Sequence, residues 1–264
     1  MRREARTKAT GYSNSRCYAK ILSDCSAALS KEHYVSRSIL DLLGDVHVIS
    51  NASWLPPGTQ SKPLRSKALG SRILCKRHNE MLSVLDAKAK DFLKQVIWAF
   101  SEGSIALPDR RVAVDGDALE LWVLKACCGF FASGELLVQG RQTKYDLPVE
   151  WLRILFQDAP WTRNTGLCIR LVSAKPYLGF AITPAFANDG TTLAGGGIEL
   201  YGIELFILMD PTRSKQLMEI GTGDLSSTAY RPSNIDIVTR THKTTIELQW
   251  KTWQPTQSVK YHYE

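Results

Sequence analysis

Ile73-Leu74-Cys75-Lys76-Arg77-His78-Asn79 is the stretch on which the fold turns. An apolar pair runs into Cys75-x-x-His78, and a stripe of helical period follows. Leu82, Leu85, Phe92, Val96 and Ala99 form that stripe, and Leu93, Ile97 and Phe100 widen it. Lys88, Lys90, Asp91 and Lys94 lie off it, so the spacing predicts a helix over 79–101. A Cys and a His three apart at a helix start can bind one Zn²⁺ from a single turn. Asn79 lies on that same first turn, where an amide oxygen can ligate a hard cation such as Mg²⁺.

Working outward, Cys17 and Cys25 are the remaining nearby ligand candidates, and with Cys75 and His78 they make a Cys₃His set. Seven residues separate Cys17 from Cys25, so residues 18–24 must form a larger loop than a tight knuckle. Residues 17–80 hold three of the six cysteines and three of the five histidines, His33, His47 and His78. The segment is short of long apolar runs, and Asn51 to Pro63 is loop-like in its Pro, Gly and Ser content. A segment so poor in core residues needs another staple, and metal supplies one. Glu32-His33 lies between the two halves of the ligand set, so folding around zinc brings residue 33 near residue 79.

The order Cys…Cys…Glu-His…Ile-Leu-Cys-x-x-His-Asn resembles the HNH endonucleases. Ser30-Lys31-Glu32-His33-Tyr34-Val35-Ser36 and Ile73 to Asn79 look like a group of bacterial HNH-type proteins whose last zinc ligand is a His followed by Asn. The resemblance covers residues 17–90, about a third of the chain. It implies a ββα-metal fold around a structural Zn²⁺ held by Cys17, Cys25, Cys75 and His78. It implies that His33 is the general base that activates water against a phosphodiester, and that Asn79 ligates a catalytic Mg²⁺ or Mn²⁺. Glu32, the preceding acid, would help hold that cation or orient the site. It also implies DNA rather than RNA as substrate, in a setting such as bacterial defence against foreign DNA. One position departs from the pattern: Gly70, beside Ser71, stands where the family has a middle Asn that braces the loop of the catalytic His. The alternative is a catalytically inactive, zinc-stabilised nucleic-acid-binding or regulatory protein.

Other residues can be weighed beside these. Lys62, Arg65, Lys67, Arg72, Lys76 and Arg77 form a basic run with no acid between residues 62 and 77. Its charge adds to the positive end of the helix, so Lys67, Arg72, Lys76 and Arg77 are candidate phosphate contacts. Asp86, two turns after Asn79, shares its helix face. His47 reads as a surface or core histidine, and Trp54 as a core cap. The formal charge of +7 favours anionic partners.

No apolar core follows the charged segment Met1 to Thr10, and no run of about 18 apolar residues is present. The expectation is a cytoplasmic protein with reduced thiols, in which spaced Cys and His point to metal. The reading of the whole is α+β. A basic flexible arm (1–16) precedes the HNH-like module with its long helix (17–101). A helical connector (102–135), with a buried helix from Leu119 to Phe131, leads to a mostly β domain (136–264). That last part carries β-type runs at Leu167–Val172, Leu178–Ile182, Ile198–Met209, Asn234–Arg240 and Thr244–Trp250. Gly195-Gly196-Gly197 reads as a flexible turn and Cys127, Cys128 and Cys168 as core residues. The β part suggests recognition or contact with a protein partner or a second copy, and Trp250, Trp253, Tyr261 and Tyr263 are either a binding face or strand packing.

Overall fold

The computed structural model describes residues 9–43, 47–50, 61–64, 70–101, 108–138, 141–171, 180–187, 189–210, 228–251, 255 and 257–262. A 3-10 turn at Lys20–Leu22 leads into β1 (Leu29–His33), α1 (Arg37–Leu40), β2 (His47–Ser50), β3 (Ser61–Leu64) and β4 (Gly70–Cys75). Then come α2 (Lys76–Ala99), β5 (Arg110–Asp115), α3 (Gly116–Ser133), β6 (Leu136–Val138), β7 (Arg141–Thr143) and α4 (Val149–Gln157). The chain continues through β8 (Gly166–Leu171), β9 (Phe180–Phe186), β10 (Leu193–Leu200), β11 (Ile203–Leu208), β12 (Thr228–Tyr230), β13 (Asn234–Val238), β14 (Lys243–Gln249) and β15 (Val259–His262). Helices and several sheets thus mix in an α+β arrangement.

α3 is the axis of the core. Asp115 caps it by accepting from the Ala118 N–H, and Gly134 ends it in the left-handed region at φ 79°. Fifteen of its eighteen residues are buried, including Trp122, Phe130 and Phe131. Each such side chain taken fully from water stabilises the fold by about 1.5–3 kcal/mol. α2 packs on α3, and its buried side chains, Leu82, Leu85, Phe92, Leu93, Val96 and Ala99, include the stripe expected from the sequence. The helix begins at Lys76, three residues earlier than periodicity alone indicates, with Cys75 as its N-cap and His78 buried on its first turn.

β1 and β4 pair antiparallel, with His33 opposite Gly70 and Glu32 opposite Ser71. Just past β1, Tyr34 lies against Gly129 of α3, where an added Cβ would come within 3.3 Å of the ring. Lys125 is one turn before Gly129 on the same face, and it meets Glu32, two residues before Tyr34. The β1–β4 pair is therefore seated on the core helix at two successive side chains.

A five-stranded sheet runs β12-β8-β11-β10-β9, and a four-stranded one runs β15-β13-β14-β5. β5 precedes α3 in sequence yet pairs parallel with β14, so the second sheet draws a strand from before residue 135. The run Ile198–Met209 is two strands, joined by a two-residue turn at Tyr201-Gly202 with φ of 51° and 82°. Paired positive φ values fit the right-handed strand twist of a tight hairpin. Gly195-Gly196-Gly197 is strand rather than the expected flexible turn. α3 presses onto it there: a Cβ at Gly196 would lie 2.6 Å from Phe131 Cζ, so only glycine admits the helix. α4, whose buried face is Trp151, Leu152, Ile154, Leu155 and Phe156, adds a helix within the part read as mostly β. Cys127, Cys128 and Cys168 are buried core residues, as expected. Among the described residues no helix is long and apolar enough to cross a membrane.

Candidate metal centre and adjoining cavity

Cys75 is the N-cap of α2, which places its thiol and the His78 ring on one turn. The two upstream thiols reach them through a compact loop. Cys17 N donates to Asn14 O and Lys20 N to Cys17 O, the 3-10 turn follows, and Ser23 turns the chain in the left-handed region. Cys25 N then donates to Tyr12 O. Thus the seven-residue gap is taken up by a hydrogen-bonded turn. Residues 10–14, within the segment read as a flexible arm, brace this loop: Thr10 Oγ1 donates to Cys25 O, and Asn14 Nδ2 to Ala27 O at 2.9 Å. Residues 1–8 of that arm lie outside the described residues. Tyr18 N bonds Ile73 O and Lys76 N bonds Ala28 O, tying the loop to β4 and the helix start.

The result is a buried tetrad. His78 Nδ1 lies 3.2 Å from Cys75 Sγ, 3.6 Å from Cys17 Sγ and 3.9 Å from Cys25 Sγ. All four donor atoms fall within 4.8 Å of one another. Zinc bond lengths of about 2.3 Å to sulfur and 2.0–2.1 Å to nitrogen place S and N roughly 3.5 Å apart in a tetrahedron. The four side chains can therefore hold one metal ion such as zinc without rearrangement. Burial lowers the His78 pKa to about 4, so the imidazole is neutral, as a ligand must be. Burial also raises the thiols of Cys17 and Cys25. Cys75 is also desolvated, but donors from the His78 and Ser26 backbone and the Ser26 side chain outweigh this and lower it.

His33 and Asn79, far apart in sequence, line one cavity of about 210 Å³ beside this tetrad. Glu32, Asp86, Arg37 and Lys125 share its walls. His33 is half-buried, and desolvation, followed by the charges of Lys31 and Lys125, lowers its pKa. Glu32 is 1% exposed. Its Oε1 lies 3.1 Å from Lys125 Nζ in a buried ion pair. Burial raises the Glu32 pKa, against the pull of Lys125. Asp86 accepts from Lys125 Nζ at 2.6 Å and from Trp122 Nε1 at 3.2 Å.

Gly70, the position read from the sequence as departing from the HNH pattern, faces the His33 ring: a Cβ there would meet the Glu32 carbonyl oxygen at 2.8 Å and His33 Cδ2 at 3.1 Å. Beside it, Ser71 Oγ accepts from Tyr34 Oη at 2.8 Å, which ties the two strands just where His33 sits.

Of the candidate phosphate contacts, Arg72 and Lys76 are exposed, and Lys76 pairs with Glu80 at 3.7 Å. Arg77 is held by Asp24 at 3.0 Å. Lys67, Arg65, Trp54, Trp253 and Tyr263 lie outside the described residues, as do the side chains of Lys62 and His47. Trp250 Nε1 donates to Pro232 O and Tyr261 is buried, so these two are strand packing.

Sequence reasoning missed Lys125. It is one lysine inside Trp122-Val123-Leu124-Lys125-Ala126-Cys127-Cys128, and a lone charged residue within an apolar helical run is the signal that marks it. Comparison with known protein families, with curated proteins and with solved structures finds no match for the chain.

Proposed function

We propose that the chain is a metal-dependent phosphodiesterase and, within that class, an HNH-type endonuclease that cuts DNA. One observation carries the reading: His33 and Asn79 line a single cavity next to a Cys₃His tetrad, on an antiparallel pair and the first turn of the following helix. β1, β4 and α2 in that order, with the tetrad at their junction, support a ββα-metal module.

His33 acts as the base. Its lowered pKa keeps the ring neutral near pH 7, ready to take a proton from water attacking a phosphodiester. A divalent cation fits the cavity by its donors. Asn79 lines it together with three carboxylates, Glu32, Glu80 and Asp86, of which Glu32 is buried against Lys125. Bound Mg²⁺ or Mn²⁺ would supply Lewis-acid stabilisation of the charge that grows on the phosphate and the leaving oxygen. The tetrad would hold a structural zinc that fixes the helix start and hence Asn79. Arg72 and Lys76 lie exposed around the junction and would contact the DNA backbone.

The test is incubation of supercoiled plasmid with purified protein and Mg²⁺ or Mn²⁺. Nicked or linear product, abolished by His33→Ala, is expected. No divalent-dependent cleavage of DNA or RNA by the wild type would end the enzyme reading. A second reading, a zinc-stabilised protein that binds nucleic acid without cutting it, draws on the Lys125 pair that occupies Glu32 and on Gly70 in place of Asn. It predicts salt-dependent binding without cleavage.

A further inference from the structure

We propose that Lys125 is a positioning residue that makes divalent-cation binding in this cavity depend on a phosphate arriving with it. The inference rests on the nuclease reading of the cavity and names a residue that no part of the motif contains.

Lys125 belongs to α3, outside the β1–β4–α2 unit, and its side chain is 2% exposed. It contacts Glu32 Oε1 at 3.1 Å and Asp86 Oδ1 at 2.6 Å. Asp86 is fixed in turn by Trp122 Nε1. The position of the ammonium is set by packing, because Tyr34 seats on Gly129 one turn along the same helix face. A buried ion pair is weak evidence for stability, since apolar side chains of similar volume often serve as well. Here the pair forms the wall of a cavity that also holds His33 and Asn79, which is where a charge has a use.

Counting the cavity's ionised side chains gives three cations, Lys31, Arg37 and Lys125, against three anions, Glu32, Glu80 and Asp86. With His33 neutral, the free cavity carries no net negative charge. Lys125 engages two of the three carboxylates. A divalent cation entering alone meets mainly the neutral amide of Asn79 and the more exposed Glu80. A phosphodiester adds the missing negative charge, which matches the habit of Mg²⁺ to bind through one or two carboxylates plus substrate phosphate. Lys125 thus holds Glu32 in place in the free protein and discourages a cation from binding without substrate.

The experiment measures Mn²⁺ binding to the full-length, zinc-loaded protein from the loss of the free Mn²⁺ EPR signal, with and without a thymidine dinucleotide. Wild-type protein is expected to bind Mn²⁺ at least tenfold tighter with the dinucleotide present. Lys125→Met should bind Mn²⁺ alone at least tenfold tighter than the wild type, whereas Lys125→Arg, which keeps the charge, should match the wild type. Equal Mn²⁺ affinity for all three proteins, or a wild-type affinity that ignores the dinucleotide, would overturn the proposal. If Lys125→Met loses its zinc and its fold, Asp86→Asn decides. That variant leaves Lys125 paired with Glu32 alone and should weaken Mn²⁺ binding at least threefold, and an unchanged affinity would overturn the proposal. Cleavage is scored separately: these Mn²⁺ shifts without any cleavage would remove the nuclease reading, while cleavage without the shifts would remove only the role of Lys125.

Discussion

Gly70→Ala is the substitution that isolates what the β1–β4 pairing does for His33. The new Cβ would lie 2.8 Å from the backbone oxygen of Glu32, 2.8 Å from Lys31 Cε and 3.1 Å from His33 Cδ2. Lys31 can swing its chain end away at little cost. The carbonyl can yield only if the strand moves, and the ring only if His33 leaves its place. Overpacking of this kind costs about 1–3 kcal/mol. Against it stands the lower entropy of the unfolded chain when Gly becomes Ala, worth about 0.4–1 kcal/mol at a site without backbone strain. Overpacking wins, with a net loss of about 1–2 kcal/mol. For a domain of this size that lowers Tm by roughly 2–8 °C. The assay is thermal unfolding followed by circular dichroism, together with plasmid cleavage, and under the proposed role of His33 as base cleavage should fall further than stability does. Gly70→Asn, which adds a larger side chain at the same crowded place, should behave worse still. A Gly70→Ala protein as stable as the wild type, with full cleavage, would refute the claim that glycine here makes room for His33.

Other outcomes follow from the same geometry. Removing zinc by chelation, or mutating Cys75→Ser, should abolish bound zinc and unfold the N-terminal segment, because such sites contribute about 10–16 kcal/mol of apparent binding energy; metal analysis and unfolding curves check this. The pH profile of cleavage should reflect the depressed His33 pKa. A base works in its neutral form, so the rate should rise with pH through a value below the ordinary 6.5 and level off above it. A break above 6.5 would contradict this assignment. Elsewhere, Glu120 accepts from Arg231 through both oxygens, at 2.7 and 2.9 Å, and both residues are buried. Arg231→Met should therefore leave a buried carboxylate uncompensated and cost about 3–5 kcal/mol in urea unfolding, with cleavage otherwise intact.

The elements with strong local signals were the ones legible in the sequence. The α2 stripe, the α3 run and the Cys75-x-x-His78 spacing each state their period or ligand chemistry within one segment. The Cys₃His tetrad was legible too, although its loop needed the turn at Lys20–Leu22 and the bracing by Thr10 and Asn14, neither of which has a marked signature. What could not be read depends on long-range packing. β5 is a strand because β14 lies beside it. Gly195 to Gly197 form a strand because β9 and β11 pair on either side, with Phe131 pressed against Gly196, and glycine spacing alone looks the same in a turn. α4 is short, and its apolar residues resemble a strand run until its buried face is seen. Lys125 stands alone in its segment, so its partners Glu32 and Asp86 could be found only once α3 was set against β1 and α2.

The central claim is that a zinc-held scaffold presents His33 to a phosphodiester. The most direct measurement determines zinc content and Mn²⁺-dependent plasmid cleavage side by side for wild type and His33→Ala. The account predicts one zinc per chain in both proteins and cleavage by the wild type alone. Equal cleavage by the two proteins, or none by a fully zinc-loaded wild type, would contradict it.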